Sequence, residues 1–421
     1  MEKNYSKFIT INELQQELDN VSSKKDVKKG GIPLYHDDKR LYIDSTNGHS
    51  LIIGSTGSGK TQSVSLPKLW TSIMAEENII VDDIKGEMYD ILNKDLTEKG
   101  YRVYKFDFKN YEGNKWNPLK LAFELYKNGN IDDAVMIIEK TAYYIFREKE
   151  NNNSDPFWIN SVMQLFCGLA LYIMEKEDRI PSIYDVANYA SKVDIDVFNK
   201  LDENSPARIF LKMVMTAPKD TNGSIYAVFN NMIMCYAYKN KITDFISDTD
   251  FEFNDLLKEK TALIIVDGHK KQYITNLVAL FIEEFKYICE KQNNKRRISV
   301  LIDDFNDYVA IESFGKLLAD SRSVYIEFTI LTSSFHKMLE TYGETSLEHI
   351  ISQFNRIIYL FANDEYTLDY ISNMCGNKST NEKLISTTEL KLLEQFEVIV
   401  LKNRHLPFKT KLLPFYQYSI K

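Results

Sequence analysis

Residues 50–61 read SLIIGSTGSGKT: an apolar run of strand type, Ser50 to Ile53, enters a complete GxxxxGK[ST] loop made of Gly54, Ser55, Thr56, Gly57, Ser58, Gly59, Lys60 and Thr61. A helix is predicted to follow from Lys60 to about Met74, with Pro67 inside it imposing a kink or an early end. Strand, loop and helix in this order are the context in which such a loop cradles phosphate. Small residues let backbone N–H groups curl round phosphate oxygens, and the helix N-terminus adds a favourable field. Lys60 is placed to reach the β and γ phosphates, and the Thr61 hydroxyl to hold Mg²⁺. A chance glycine-rich turn would leave the lysine, the threonine and the flanking strand without a reason. A nucleotide with Mg²⁺ is therefore the expected ligand.

Outward from the loop, Asn78 to Asp82 (NIIVD) is a compact strand-like run, Glu87 to Lys99 is helical, and Tyr101 to Asp107 is the next strand. Upstream, Ile11 to Val21 reads as a helix, a charged stretch ends at Gly30-Gly31, and Tyr42 to Asp44 reads as a short strand. From about Lys120 to Asn240 the pattern is helical, with Ile131 to Phe146, Trp158 to Glu177, Ser182 to Ser191 and Pro206 to Met215 as its clearest segments. Strand patterns resume at Thr261 to Val266, Ser299 to Ile302, Tyr325 to Leu331, Arg356 to Phe361 and Phe396 to Lys402, with a long helix from Lys271 to Lys291. The fold class this predicts is α/β: a RecA-like P-loop NTPase with a mostly parallel sheet flanked by helices and an inserted all-alpha subdomain. The expected organisation is an N-terminal helix and flexible segment over 1–28, a nucleotide domain over 29–119 and 241–421, and an all-alpha domain over 120–240.

Of 421 residues, 44% are hydrophobic and 27% charged, the composition of a folded chain. With 52 basic and 60 acidic residues the net charge is −8, which argues against a general DNA binder and leaves DNA contact to a local patch, an oligomer or a partner. The basic run Lys291 to Arg297 (KQNNKRR) is such a patch, or simply a solvated turn. Cys167, Cys235, Cys289 and Cys375 are isolated, and His36, His49, His269, His336, His349 and His405 form no ligand spacing, so no metal site of these is expected. The polar first residues are no signal peptide. The longest apolar run, Met163 to Met174, falls short of the ~20 residues that cross a bilayer and reads as a core helix.

Hydrolysis needs a carboxylate at the end of a neighbouring strand. Asp303, after the strand SVLI, is the first candidate for the metal, with Asp304 beside it as the candidate water-activating base. Asp267 and the pair Asp82-Asp83 also end strands. Asp304 is one methylene shorter than a glutamate, a shortfall in reach that catalysis tolerates poorly. Arg322 is a candidate for the phosphates of its own or a neighbouring subunit, or for a surface ion pair.

The order of motifs resembles the VirD4/TraG/TraD-type coupling proteins of conjugation and type IV secretion. His49 to Thr61 resembles the family's histidine-led entry into the loop, and Pro67-Lys68-Leu69 its proline-containing helix. Asp83-Ile84-Lys85-Gly86-Glu87 matches a D-x-K-G-E motif, and Trp116-Asn117-Pro118-Leu119 a W-N-P-L that closes the first half of the nucleotide domain. Leu301 to Phe305 occupies the Walker B place, with Arg322, Tyr342-Gly343, Thr388-Glu389-Leu390 and Pro407 following in order. The likeness spans about residues 29 to 418.

It implies an ATP-binding coupling ATPase that links a DNA or protein substrate to a secretion channel. Catalysis would fall to Lys60, Asp303, Asp304 and Arg322, and Mg²⁺ to Thr61 and Asp303. The implied partners are a relaxase, relaxosome or secreted protein on the all-alpha domain, single-stranded DNA, and a separate membrane anchor or channel protein. A homohexameric ring is implied, with a monomer in isolation as the alternative, located in the cytoplasm at the inner face of the membrane. The sequence departs from the family in three ways. It opens without the family's usual transmembrane anchor, which suits a naturally soluble member, one recruited by a membrane partner, or a fragment. It carries Asp-Asp in place of Asp-Glu at Walker B. And Ser333 stands where a glutamine usually senses the γ-phosphate. The last two favour slow or absent hydrolysis and an alternative role as an ATP-binding recognition or adaptor switch. A packaging or chromosome-segregation motor is disfavoured by the D-x-K-G-E and W-N-P-L motifs.

Overall fold

In the computed structural model, which describes residues 5–37, 39–146, 155–191, 195–268, 272–308, 310–311 and 313–419, the first helix is Ile11–Glu17, closed by a capping box between Thr10 and Glu13. Its expected continuation to Val21 is instead strand β1 (Asp19–Val21), which with β2 (Ile32–His36) and β3 (Leu41–Asp44) makes an antiparallel sheet in the order β1-β3-β2. Pairing of Val21 with Leu41 ends the helix, and no local period reveals a partner that far along the chain.

The remaining strands are β4 (His49–Gly54), β5 (Asn78–Asp82), β6 (Arg102–Asp107), β7 (Glu112–Gly113), β8 (Thr261–Val266), β9 (Ile298–Ile302), β10 (Ile326–Thr332), β11 (Phe354–Phe361), β12 (Asn377–Ser379), β13 (Glu382–Lys383), β14 (Glu397–Lys402) and β15 (Phe408–Lys411). The chain divides into two compact units, one of residues Met1–Tyr104, Asn254–Asp267 and Cys289–Lys421, the other of Lys105–Phe253 and Gly268–Ile288.

The first unit is built on strands in the order β15-β14-β11-β4-β10-β9-β5-β8. From β11 to β8 the pairs are parallel, while β14 and β15 are antiparallel additions at one edge. Strands β4, β5, β8, β9 and β10 are buried along their whole length, as parallel strands covered on both faces must be. Ile52, Ile79, Val81, Leu301, Leu331 and Ile358 share a core with Leu66, Leu69 and Ile73 of the helix that follows the loop. That helix is divided just ahead of Pro67. Residues Thr61–Ser65 form a wide π-type turn, and the α-helix proper, Leu66–Met74, starts with Pro67 in its first turn, where a missing N–H is harmless.

The second unit is helical, with Lys120–Lys127, Ile131–Phe146, Pro156–Lys176, Ile183–Ala190, Pro206–Thr216 and Lys219–Ile233 as its principal helices. Pro156–Lys176 has 21 residues and is long and apolar enough to cross a membrane by length and composition. It is mostly buried, packed by Ile131–Phe146, Ile183–Ala190, Pro206–Thr216 and Lys219–Ile233. Gly168 makes the tightest of these contacts possible, since a Cβ there would lie 2.5 Å from Leu211 Cγ. Trp116 and Asn117 belong to this unit too, not to the sheet. The Trp116 indole packs edge-on against Phe281 and donates to Glu284 at 3.3 Å. The Asn117 amide donates to the carbonyls of Pro181 and Ser247. Of the sequence features named above, His269 and Lys271 lie outside the described residues.

Candidate nucleotide site

β4 delivers the loop at the C-terminal edge of the parallel sheet. Gly57 and Gly59 take φ of +83° and +91°, a region that side chains other than glycine seldom enter. At Gly54 a Cβ would meet Ser58 Oγ at 2.4 Å, so the loop closes on itself only with glycine there. The Ser58 hydroxyl is buried in it without a hydrogen-bond partner. Lys60 is buried, and its ammonium donates to the Gly54 carbonyl and, at 3.4 Å, to that of Ser55. Thr61 opens the π-turn.

Asp303 stands just past β9, and β10 runs between β9 and β4. The carboxylate is thus on the next strand but one, roughly 10 Å across the sheet, not on the adjacent strand. Lys60 bridges the gap electrostatically. Burial pulls its ammonium below the ordinary lysine range, and the carboxylates of Asp304 and then Asp303 oppose that fall. The loop lysine and both carboxylates thus lie at the same C-terminal edge of the sheet. Asp304 sits in the left-handed region, φ 45° and ψ 52°, with its N–H on Asp303 Oδ1 at 3.0 Å.

Two of the other acidic candidates are hydrogen-bonded within the chain. Asp83 accepts from the N–H groups of Gly86 (3.1 Å) and Tyr89 (2.9 Å), tying down the start of helix Glu87–Glu98. Gly86 itself takes φ +80°. The D-x-K-G-E motif is in this respect a turn, with Lys85 and Glu87 on its exposed side. Asp82 accepts from the Tyr308 hydroxyl at 2.7 Å. Tyr308 is fully buried, and burial, Asp82, Asp267 and Asp303, in that order, push its hydroxyl far above the usual tyrosine range.

At the end of β10, Ser333 is joined to the loop after Asp303. The Asn306 amide donates to the Ser333 hydroxyl at 3.0 Å, and the Thr332 hydroxyl donates to Asn306 Oδ1 at 2.6 Å. Asn306 was invisible in the sequence because it matches no motif, and its partners lie some 27 residues away.

Arg322 is not brought to the loop of its own chain. It precedes β10, whose first residue pairs with the first of β9, and so lies at the N-terminal edge of the sheet. The seven residues of β10 put roughly 20 Å between that edge and the loop. Arg322 is exposed and donates to the Gln353 carbonyl. The basic run beside it is not a free patch either. Arg297 pairs with Glu77 and Glu327 at 2.7 and 3.0 Å, and Arg296 donates to Asn78. Among the described residues no group of three His, Cys, Asp or Glu side chains is arranged to hold a metal alone. Mg²⁺ at such a loop takes its remaining ligands from phosphate and water.

A loop lysine facing strand-end carboxylates on a mostly parallel, doubly covered sheet defines the class: a P-loop NTPase. The chain belongs to the type IV secretory system conjugative DNA transfer family, whose model matches residues 6–407. It is 21% identical over 370 residues to the protein VirD4 of Rhizobium rhizogenes, an alignment covering 83% of this chain and 53% of that one. The chain thus spans about half the length of the curated relatives it matches. Among solved structures, the bacterial conjugative coupling protein TrwBdeltaN70 in complex with sulphate superposes with a TM-score of 0.73 at 13% identity, covering 100% of this chain and 96% of its own. TrwB in complex with ADP and Mg²⁺ gives 0.71 at 13% identity, covering 98% and 94%. These structures have the same fold.

Proposed function

We propose that this chain is the ATP-binding engine of a coupling protein, linking a DNA or protein substrate to a conjugative or type IV secretion channel and driving transfer by ATP hydrolysis. The observation that carries this reading is the closed glycine loop with its buried Lys60, at the same edge of the sheet as Asp303 and Asp304. The buried Ser58 hydroxyl and the closed glycine loop suit a bound polyphosphate. Thr61 and Asp303 are the residues to hold Mg²⁺, which supplies charge neutralisation for the phosphates. Lys60 exchanges its loop carbonyls for phosphate oxygens. Asp304 is the group to accept a proton from the attacking water, and the Asn306–Ser333 pair lies beside it. Arg322 acts on a neighbouring copy in a homohexameric ring. The helical unit takes a relaxase or secreted protein, single-stranded DNA passes along the assembly, and a channel protein holds the complex at the cytoplasmic face of the membrane.

A second reading, an ATP-binding adaptor switch with little hydrolysis, is favoured by Asp304 and by Ser333, whose hydroxyl is engaged by Asn306. Steady-state ATPase of the purified chain, with and without single-stranded DNA, separates the two. Turnover that rises with DNA and disappears in Lys60→Ala supports the motor. Tight ATP binding without turnover under either condition establishes the switch.

A further inference from the structure

Phe396 is the residue at the nucleotide edge that no motif accounts for. It precedes β14, and the register of β14 on β11 (Tyr359 opposite Ile399) continues to place it beyond Phe361, the residue of β11 level with Gly54. The ring reaches the loop itself: a Cβ added at Gly59 would lie 2.6 Å from Phe396 Cε1 and 3.0 Å from Cδ1. Phe396 holds φ +69°, a conformation uncommon for a bulky side chain and costly to maintain. Its carbonyl accepts from the Leu412 N–H at 2.9 Å, which helps to fix that turn. The ring is half-buried, leaving part of an aromatic surface beside the last glycine of the loop.

From this we infer that Phe396 is the stacking platform for the base of the nucleotide, an inference that rests on the nucleotide reading above. A phosphate chain held by Gly54 to Thr61 leaves its nucleoside to run out along the loop, and Phe396 is an aromatic surface placed there. Stacking on a phenyl ring reads the π-face and not the hydrogen-bonding edge of a base. The contact therefore adds affinity for a purine nucleotide without choosing adenine over guanine.

The test is binding of ADP and of inorganic pyrophosphate, each with Mg²⁺, to the full chain and to Phe396→Gly and Phe396→Trp. Glycine suits φ +69° and removes the ring without adding backbone strain. Phe396→Gly is expected to weaken ADP about 5- to 150-fold, the equivalent of one aromatic–base stack, with pyrophosphate unchanged. Phe396→Trp is expected to retain ADP. Equal losses for both ligands would mean that the ring merely props Gly59, and this or an unchanged ADP affinity overturns the inference alone. If the unaltered chain binds neither ligand, the nucleotide reading falls and this one with it.

Discussion

Asp304 occupies the left-handed region, φ 45° and ψ 52°, which asparagine and aspartate enter at lower cost than other side chains. Asp304→Asn therefore separates chemistry from folding, because it removes the charge while suiting the backbone. Hydrolysis is expected to fall about 10²- to 10⁴-fold, as for loss of a general base, with nucleotide affinity and melting temperature kept. Unchanged turnover would remove Asp304 from the mechanism. The residues of the site were unequally legible. Lys60, Thr61 and Asp303 belong to contiguous patterns whose chemistry explains their spacing. Asn306 and Phe396 gain their places from contacts with Ser333 and Gly59 that exist only once the strands are ordered. The same ordering gives Asp83 the N–H groups of Gly86 and Tyr89 and places Arg322 at the far edge.

Among elements, the fully buried strands were readable because burial on both faces leaves a continuous apolar run, and β5 and β8 have the predicted limits. The short β2 and the terminal β15 were missed, as were the helices Phe335–Tyr342, Glu344–Ser352 and Glu365–Cys375. For β15 the burial pattern alternates, and β2 and β15 depend on pairing at a distance. At the N-terminal edge of the sheet, Arg297 joins Glu77, which precedes β5, to Glu327 of β10, with all three side chains no more than 14% exposed. Arg297→Ala removes the ion-paired cation from two buried carboxylates, which keep the more distant Lys68, and is expected to cost about 3–5 kcal/mol in denaturant unfolding. A loss under 1 kcal/mol would show the network to be solvated. His49 joins β4, β10 and helix Phe314–Ser321 through a fixed tautomer. Its Nδ1 accepts from the Phe328 N–H at 3.0 Å, while Nε2 donates to the Leu318 carbonyl at 2.7 Å. Burial lowers its pKa to about 4 from 6.5, so the unfolded chain binds this proton first. Stability is then full above pH 6.5 and falls as the pH drops from there to about 4. The share from His49 is about 2 kcal/mol between pH 7 and pH 5. His49→Gln is expected to flatten that part of the profile, and an equally steep profile in the variant would assign it to other groups.

At the scale of the whole molecule, a chain of net charge −8 divides into a sheet unit and a helical unit. The deciding feature is that Lys60 and Arg322 lie at opposite edges of one sheet. If both act on the same phosphates, they must come from different copies, and damage to one is then repairable by the other. Chains carrying Lys60→Ala and chains carrying Arg322→Ala are each expected to be inactive alone. Mixed one to one, they regain about a quarter of the full rate, because random assembly rebuilds that share of intact boundaries in a head-to-tail ring. A mixture no more active than its two components would show that each chain works alone. Recovery would make the active unit the boundary between neighbours, so that a single chain carries two halves of different sites.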